Sequence, residues 1–163
     1  MKITRQLLRQ WEACYEDDRI AELVPPDGLT PLQVATSGHS EDDLIWVLFR
    51  EEIIPALEMR KLANRWARRC LEATPLEKRD LRVLESIRAS EQYAAGERTA
   101  LSLKGHKFLE IPSVCWILEL GRSDIHWVAT AIYLSIPGDS PFEDVIEWLE
   151  QNVSRETLPS RLD

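Results

Sequence analysis

The sequence predicts an all-α fold, a compact bundle of about seven to nine short helices in a single domain. Apolar residues recur at spacings of three and four along most of the chain, and the alternation typical of strands is nearly absent. Helix-start signals, in which Ser, Thr or Asp precedes Pro or acidic residues, also recur from end to end. We place the domain at residues 1–152, with any sub-boundary at 97–112, and expect residues 153–163 to form a mobile tail.

The first five predicted helices each begin at a capping residue or a proline. A side-chain oxygen at the N-cap accepts a hydrogen bond from a backbone N–H, and first-turn acids face the positive helix end. Pro25 and Pro55 end or kink the helices before them, because proline lacks the backbone donor. These signals predict helices near residues 5–15 after Thr4, from Asp17 or Asp18 to Pro25, from Thr30 and Pro31 to Ala35, from Ser40 to Ile54, and from Pro55 to Leu71.

The C-terminal half carries the same signals less regularly. Residues 97–112 predict a short helix or an irregular connection, because Gly105 and Pro112 interrupt any long element. Residues Ile132–Ile136 fit a helix or a short strand. The predicted helices here run from Thr74 and Pro75 to Gly96, over residues 113–120, over residues 124–135, and from a capping box at Ser140, Pro141 and Glu143 to about Asn152.

Composition excludes several classes of protein. An apolar fraction of 44% and a charged fraction of 29% fit neither a disordered chain nor a membrane protein. The start MKITRQLLRQ has no apolar run, so we expect a cytoplasmic protein. The three Cys show no CxxC spacing and predict reduced, buried thiols, and the six Trp predict mostly core anchors with one or two at an interface.

Charge is distributed in three blocks. Residues 60–107 carry 12 Lys/Arg against 6 Asp/Glu, a balance of +6. Residues 1–58 carry 5 against 12, and residues 108–163 carry 3 against 10, so each flank has a balance of −7. A basic centre between acidic flanks can pair within the chain, with a second copy in a homodimer, or with another partner.

Three stretches resemble a loosely defined group of small helical proteins of bacteriophages and some bacterial genomes. They are LLRQWEACYEDDRIAELVPPDGLTPLQV, LIWVLFREEIIPALEMRKLANRWARR and SIRASEQYAAGERT, and the likeness covers about residues 3–100. The C-terminal third departs from the group, whose members often continue into an Ala-rich tail. The resemblance implies a mobile-element origin and transfers no functional residue.

Acidic residues are the first candidate binding groups. Carboxylates spaced along helices can imitate a line of phosphates and occupy a basic groove on a partner protein, although solvated helix faces explain them more simply. Further acids lie on the last helix, at Glu143, Asp144, Glu147 and Glu150. The predicted partner-binding residues are Glu41, Asp42, Asp43, Glu51 and Glu52.

A basic stripe in residues 60–82 is the second candidate. It comprises Lys61, Arg65, Arg68, Arg69 and Arg82. Such a helix face can contact nucleic-acid phosphates or an acidic partner, or it can pair with the acid-rich N-terminal helices. No stacking aromatics interleave with these residues, which disfavours nucleic acid.

No catalytic, metal or cofactor motif is present, so we predict neither an enzyme nor a bound cofactor. His39, His106 and His126 lack ligand spacing, and no nucleophile elbow or Gly-rich phosphate loop occurs. Asp124 and His126 are the nearest approach to an acid–base pair, and a helix-start Asp beside a packed His explains them. We therefore expect a non-enzymatic, protein-binding accessory protein of phage type. Its sharper form is an inhibitor of a bacterial defence or nucleic-acid-handling complex, such as an anti-CRISPR protein, that acts by occluding a surface. Nucleic-acid binding by the basic stripe is the alternative.

Overall fold

The computed structural model describes residues 1–75, 79, 81–99, 120, 124–136 and 141–153. Within these ranges the regular structure is helical without a strand, which confirms the all-α prediction. No helix in the described ranges is both long and apolar enough to cross a membrane. The eight helices found there are α1 (Arg5–Gln10), α2 (Asp17–Leu23), α3 (Pro31–Ala35), α4 (Glu41–Leu48), α5 (Ala56–Ala73), α6 (Leu81–Ala94), α7 (Ile125–Tyr133) and α8 (Phe142–Asn152).

The described residues fall into two compact units. The first contains residues 1–48 and 145–153, and the second contains the described part of residues 49–144. The predicted sub-boundary at 97–112, the helix at 113–120 and the mobile tail lie wholly or mostly outside the described residues.

The first unit is built from α1 to α4 and most of α8. Helix α1 packs against α2, and α3 packs against α4. A single antiparallel bridge joins Ile3 to Leu29, with backbone N–H···O distances of 2.7 and 2.9 Å in the two directions. Ile3, Leu8 and Ile20 are among its buried side chains.

The second unit is organised around α5, which packs against both α6 and α7. Met59, Leu62, Trp66 and Cys70 recur at three- and four-residue spacing on α5, and all four are buried because this spacing places them on one helix face. Trp66 is completely buried, stacks on Phe49 with ring centroids 5.5 Å apart, and meets Tyr133 edge-on at 5.1 Å. This aromatic cluster is the centre of the unit's core.

Local signals fix some helix bounds and miss others. Helix α3 begins at Pro31 as predicted, and Thr30 and Gln33 form a reciprocal capping box. Helix α4 ends at Leu48 rather than at Ile54. Thr74 is the residue that follows the end of α5, and its hydroxyl donates to the Cys70 carbonyl at 2.8 Å. Residues 76–78 and 80, where the helix predicted from Thr74 and Pro75 would begin, lie outside the described residues. Residues Ile132–Ile136 are the end of α7 and a following turn, so the strand alternative is wrong.

Candidate functional site

The first unit contains an apolar cavity of about 310 Å³. That volume lies at the lower end of the range for ligand sites in proteins. Side chains with little solvent exposure form its floor, whereas its rim is made of more exposed groups. The floor includes Ile3, Leu8, Val24, Val34 and Leu44, and the rim includes Cys14, Tyr15, His39, Asp42 and Asp43.

A sharp turn after α1 brings one wall of this cavity into place. Glu12 has a φ of 57°, in the left-handed region that usually holds glycine. The Ala13 N–H donates to Leu8 O at 3.1 Å and the Glu12 N–H to Arg9 O at 3.0 Å, which together form a Schellman motif. The turn ends the helix at Gln10 rather than at residue 15, and residues 13–15 then line the cavity.

The backbone bridge between Ile3 and Leu29 supports the opposite wall. Gly28 precedes Leu29 with a φ of 73°, and its N–H donates to Pro25 O at 2.9 Å. A Cβ at this position would lie 2.8 Å from the Ile3 carbonyl oxygen. The turn over residues 25–28 therefore needs its glycine, both for the positive φ and for the close approach of the bridge.

The acidic rim is organised by Asp43, in the first turn of α4. The Ser40 hydroxyl donates to Asp43 Oδ2 at 2.6 Å and accepts from the Asp43 N–H at 3.3 Å, and the Tyr15 hydroxyl donates to Asp43 Oδ1. The Ser40 hydrogen bond, followed by that of Tyr15, lowers the pKa of Asp43 below its ordinary value. The hydrogen bond to Asp43 in turn raises the pKa of Tyr15. At neutral pH the rim therefore holds an ionised Asp43 and a protonated Tyr15.

Asp42 is more exposed than Asp43 and also lines the cavity. Residues 1–48 contain nine Asp/Glu against four Lys/Arg, a balance of −5, so this part of the chain is acidic, and one of its cations, Arg19, lies near enough to help lower the pKa of Asp43. We call this feature, an apolar floor with Asp42 and Asp43 at its edge, the acid-rimmed cavity. Its chemistry suits an apolar group that carries a positive charge next to it.

The predicted acidic residues belong to two different units. Glu41, Asp42 and Asp43 form the first turn of α4 in the first unit. Glu51 and Glu52 are exposed in a turn of the second unit. The candidate site is therefore argued from Asp42 and Asp43.

The basic stripe is extensively paired with carboxylates. Lys61 Nζ lies 2.7 Å from Glu58 Oε1, and Arg68 forms two hydrogen bonds to Glu91, at 2.5 and 2.6 Å. The Glu91 hydrogen bonds raise the pKa of Arg68. Glu58 and Glu91 lie on α5 and α6, so these pairs form within the second unit. Arg82 is exposed on α6.

Arg65 and Arg69 share one acceptor, Asp144 in the first turn of α8. Arg65 Nη1 lies 3.2 Å and Arg69 Nη2 3.0 Å from Asp144 Oδ1, and the Trp66 indole N–H donates to Oδ2 at 2.9 Å. Asp144 is only 7% exposed, so its assignment to an acidic surface is wrong. A buried carboxylate needs such donors, because burial without compensation is costly.

Asp124 and His126, the nearest approach to an acid–base pair in the sequence, have structural roles. His126 is held by a backbone hydrogen bond. Its Nε2 hydrogen-bonds the Ile54 carbonyl oxygen at 2.7 Å, and because a carbonyl only accepts, Nε2 carries the proton. Asp124 precedes α7 and is exposed. Across the described ranges, no three His, Cys, Asp or Glu side chains are grouped as metal ligands.

Sequence reasoning missed three features of these sites. Tyr15 was assigned to a continuing helix face and instead bonds Asp43. Cys14 was expected to be buried and is exposed at the cavity rim, whereas Cys70 is buried as expected. The cavity is lined by residues up to 44 positions apart, and no short motif marks it.

Comparison with known proteins identifies no relative of this chain. No protein-family model matches the chain, and no curated protein or solved structure is significantly similar to it.

Proposed function

We propose that this protein is a non-enzymatic accessory protein of phage or prophage type that binds another protein through the acid-rimmed cavity. The observation that carries the proposal is the position of Asp42 and Asp43 beside an apolar cavity. Apolar burial supplies affinity, and the carboxylates select a basic partner surface. The resemblance of residues 3–100 to phage-encoded helical proteins supports the origin.

Basic surfaces with apolar residues between the charges are common on proteins that handle nucleic acids. A protein that covers such a surface blocks its normal ligand without any chemistry of its own. The sharper form of the proposal is therefore inhibition of a bacterial defence or nucleic-acid-handling complex by occlusion, as in anti-CRISPR proteins. It would take place in the cytoplasm of the bacterial host.

The alternative, nucleic-acid binding by the basic stripe, is disfavoured by the ion pairs of four of its five members. Lys61, Arg65, Arg68 and Arg69 each have a carboxylate partner. A phosphate would have to displace those carboxylates, and the gain from counterion release would be offset by the lost pairs.

The test is an affinity pull-down from nuclease-treated bacterial lysate with three matched proteins: wild type, Asp42→Lys and Glu150→Lys. Glu150 is exposed on α8 in the same unit and does not line the cavity, so its substitution makes the same change in net charge. We expect one stoichiometric partner that wild type and Glu150→Lys retain and Asp42→Lys loses. Equal capture by all three proteins would contradict a role for the rim. Retention of nucleic acid alone, before nuclease treatment, would favour the basic stripe.

A further inference from the structure

We propose that the acid-rimmed cavity receives a single large aliphatic or aromatic side chain of the partner, flanked in the partner's sequence by Arg or Lys. This inference rests on the proposed function and specifies what the site recognises. It follows from the size of the cavity, the chemistry of its floor and the charge of its rim.

Size and chemistry limit the occupant. A volume of about 310 Å³ is too small for a partner helix and suits one or two side chains. The floor is formed by aliphatic side chains such as Ile3, Leu8 and Val34, which offer no hydrogen bond to a polar group. A polar side chain placed there would lose its hydration without compensation, so the inserted group is apolar.

The rim determines what lies next to the inserted side chain. Both Asp43 oxygens already accept hydrogen bonds from hydroxyl groups, those of Ser40 and Tyr15. Asp42, one residue earlier, is more exposed, and its carboxylate is accessible to a cation on a partner. A Lys or Arg beside the apolar group would meet this pair, whereas an acidic residue would be repelled.

Cys14 provides a local probe of occupancy, because its exposed thiol lines the cavity. The Cys70 thiol is buried, and burial raises its pKa to about 11, so it reacts slowly at neutral pH. With Cys115 replaced by Ser, the rate of alkylation at neutral pH therefore reports on Cys14.

The experiment measures that rate while amidated five-residue peptides are titrated into the millimolar range. The first peptide has Leu between two Arg, the second has Leu between two Glu, and the third has Ser between two Arg. We expect the Arg-Leu-Arg peptide to slow alkylation at least fivefold, with a dissociation constant of about 1 mM, because one buried side chain and exposed ion pairs give modest affinity. The other two peptides should change the rate less than twofold.

Two variants separate the contributions of floor and rim. Asp42→Asn should weaken Arg-Leu-Arg binding about fivefold and reduce its dependence on salt. Ala13→Leu, which fills the cavity from its wall, should abolish protection whatever the flanking charge. If Ala13→Leu does not fold, Asp42→Asn and the Leu-to-Ser peptide still test the inference.

Each of the following outcomes would contradict one part of this proposal. If the Arg-Ser-Arg peptide protected Cys14 from alkylation equally well, the apolar floor would have no part in recognition. If the Glu-flanked peptide protected it equally well, the acidic rim would have no part. Alkylation that slows as the protein alone is concentrated would identify a second copy of this chain as the occupant. A lysate partner lost with Asp42→Lys but kept with Ala13→Leu would keep the acidic rim as a protein-binding surface and overturn the insertion of a side chain into the cavity.

Discussion

The Tyr15 hydroxyl donates a hydrogen bond to the Asp43 carboxylate, and this contact joins the loop after α1 to the first turn of α4. The two residues are 28 positions apart and both line the acid-rimmed cavity. The contact therefore joins two segments of the rim of the proposed site.

We expect Tyr15→Phe to lower the free energy of unfolding by about 0.5–1 kcal/mol at neutral pH, because an exposed hydrogen bond contributes modestly. The folded state lowers the pKa of Asp43, so this stability is present above the ordinary Asp pKa and is lost as pH falls through the lowered value. The folded state raises the pKa of Tyr15, so the same stability is present below the ordinary Tyr pKa and is lost as pH rises through the raised value. Urea unfolding of both proteins from pH 3 to 11 measures the difference. A difference that persists unchanged to the acid end would contradict the assigned contact.

Glu12→Gly should stabilise the protein by about 1 kcal/mol, because a non-glycine residue at positive φ carries a steric penalty that glycine lacks. Glu12→Ala is the matched control, since it removes the same charge but keeps the strained backbone. Thermal and urea unfolding compare the three proteins. Equal stabilities of the Gly and Ala variants would show that the charge rather than the backbone matters.

Gly28→Ala should destabilise the protein by about 2 kcal/mol, because it adds a steric clash with the Ile3 carbonyl to the strain of the positive φ. Gly38→Ala is the control, since Gly38 has a φ of 76° and nothing within 4 Å of an added Cβ. We expect about half the loss there. Cys14 alkylation should accelerate in Gly28→Ala and not in Gly38→Ala, because Ile3 and Leu29 both line the cavity. Indistinguishable behaviour of the two variants would exclude the bridge as a support of the cavity wall.

Asp144→Ala should lower the free energy of unfolding by about 2–3 kcal/mol, because it leaves the buried Trp66 N–H without its acceptor and Arg65 and Arg69 without their shared carboxylate. The guanidinium groups are half exposed, which keeps the loss below that of a fully buried pair. Glu143→Ala, at the exposed neighbouring position, should change stability by less than about 0.5 kcal/mol. Denaturant unfolding followed by Trp fluorescence makes the comparison, and similar losses in the two variants would refute the buried role of Asp144.

Neutralising the carboxylates that pair with the basic stripe should give the protein affinity for nucleic acid. In Asp144→Asn with Glu91→Gln, the carboxylate shared by Arg65 and Arg69 and the carboxylate that pairs with Arg68 become neutral, so these two carboxylates no longer compete with phosphates for the three cations. Fluorescence anisotropy with a labelled duplex should then show binding whose logarithm falls with the logarithm of salt concentration at a slope of about −3. Glu143→Gln with Glu85→Gln makes the same charge change at exposed positions and should bind no more tightly than wild type. Wild-type binding with the same slope would contradict the paired stripe.

The sequence predicts well those structural features that depend on residues close together in the chain. Thr30, Pro31 and Gln33 carry their helix start locally, and α3 begins where they place it. The apolar spacing along α5 likewise identifies the buried face that holds Trp66. Both signals depend on residues within one or two turns of each other.

The features that could not be predicted from the sequence depend on tertiary contacts. Glu143 and Asp144 look alike in the sequence, and Asp144 is buried because Trp66, 78 positions earlier, supplies a donor to it. Glu12 does not look like a helix end, since its side chain disfavours the left-handed conformation that it adopts. The cavity combines residues from Ile3 to Val47, so its floor becomes visible only once the first unit is folded.

The measurement that tests the central claim most directly is the rate of Cys14 alkylation in the Cys115→Ser protein, with and without the partner recovered from lysate. The account predicts that a stoichiometric partner slows the reaction at least tenfold, and that Asp42→Lys restores the unbound rate at the same partner concentration. A bound partner that leaves the Cys14 rate unchanged would place its binding surface elsewhere and contradict the acid-rimmed cavity as the functional site.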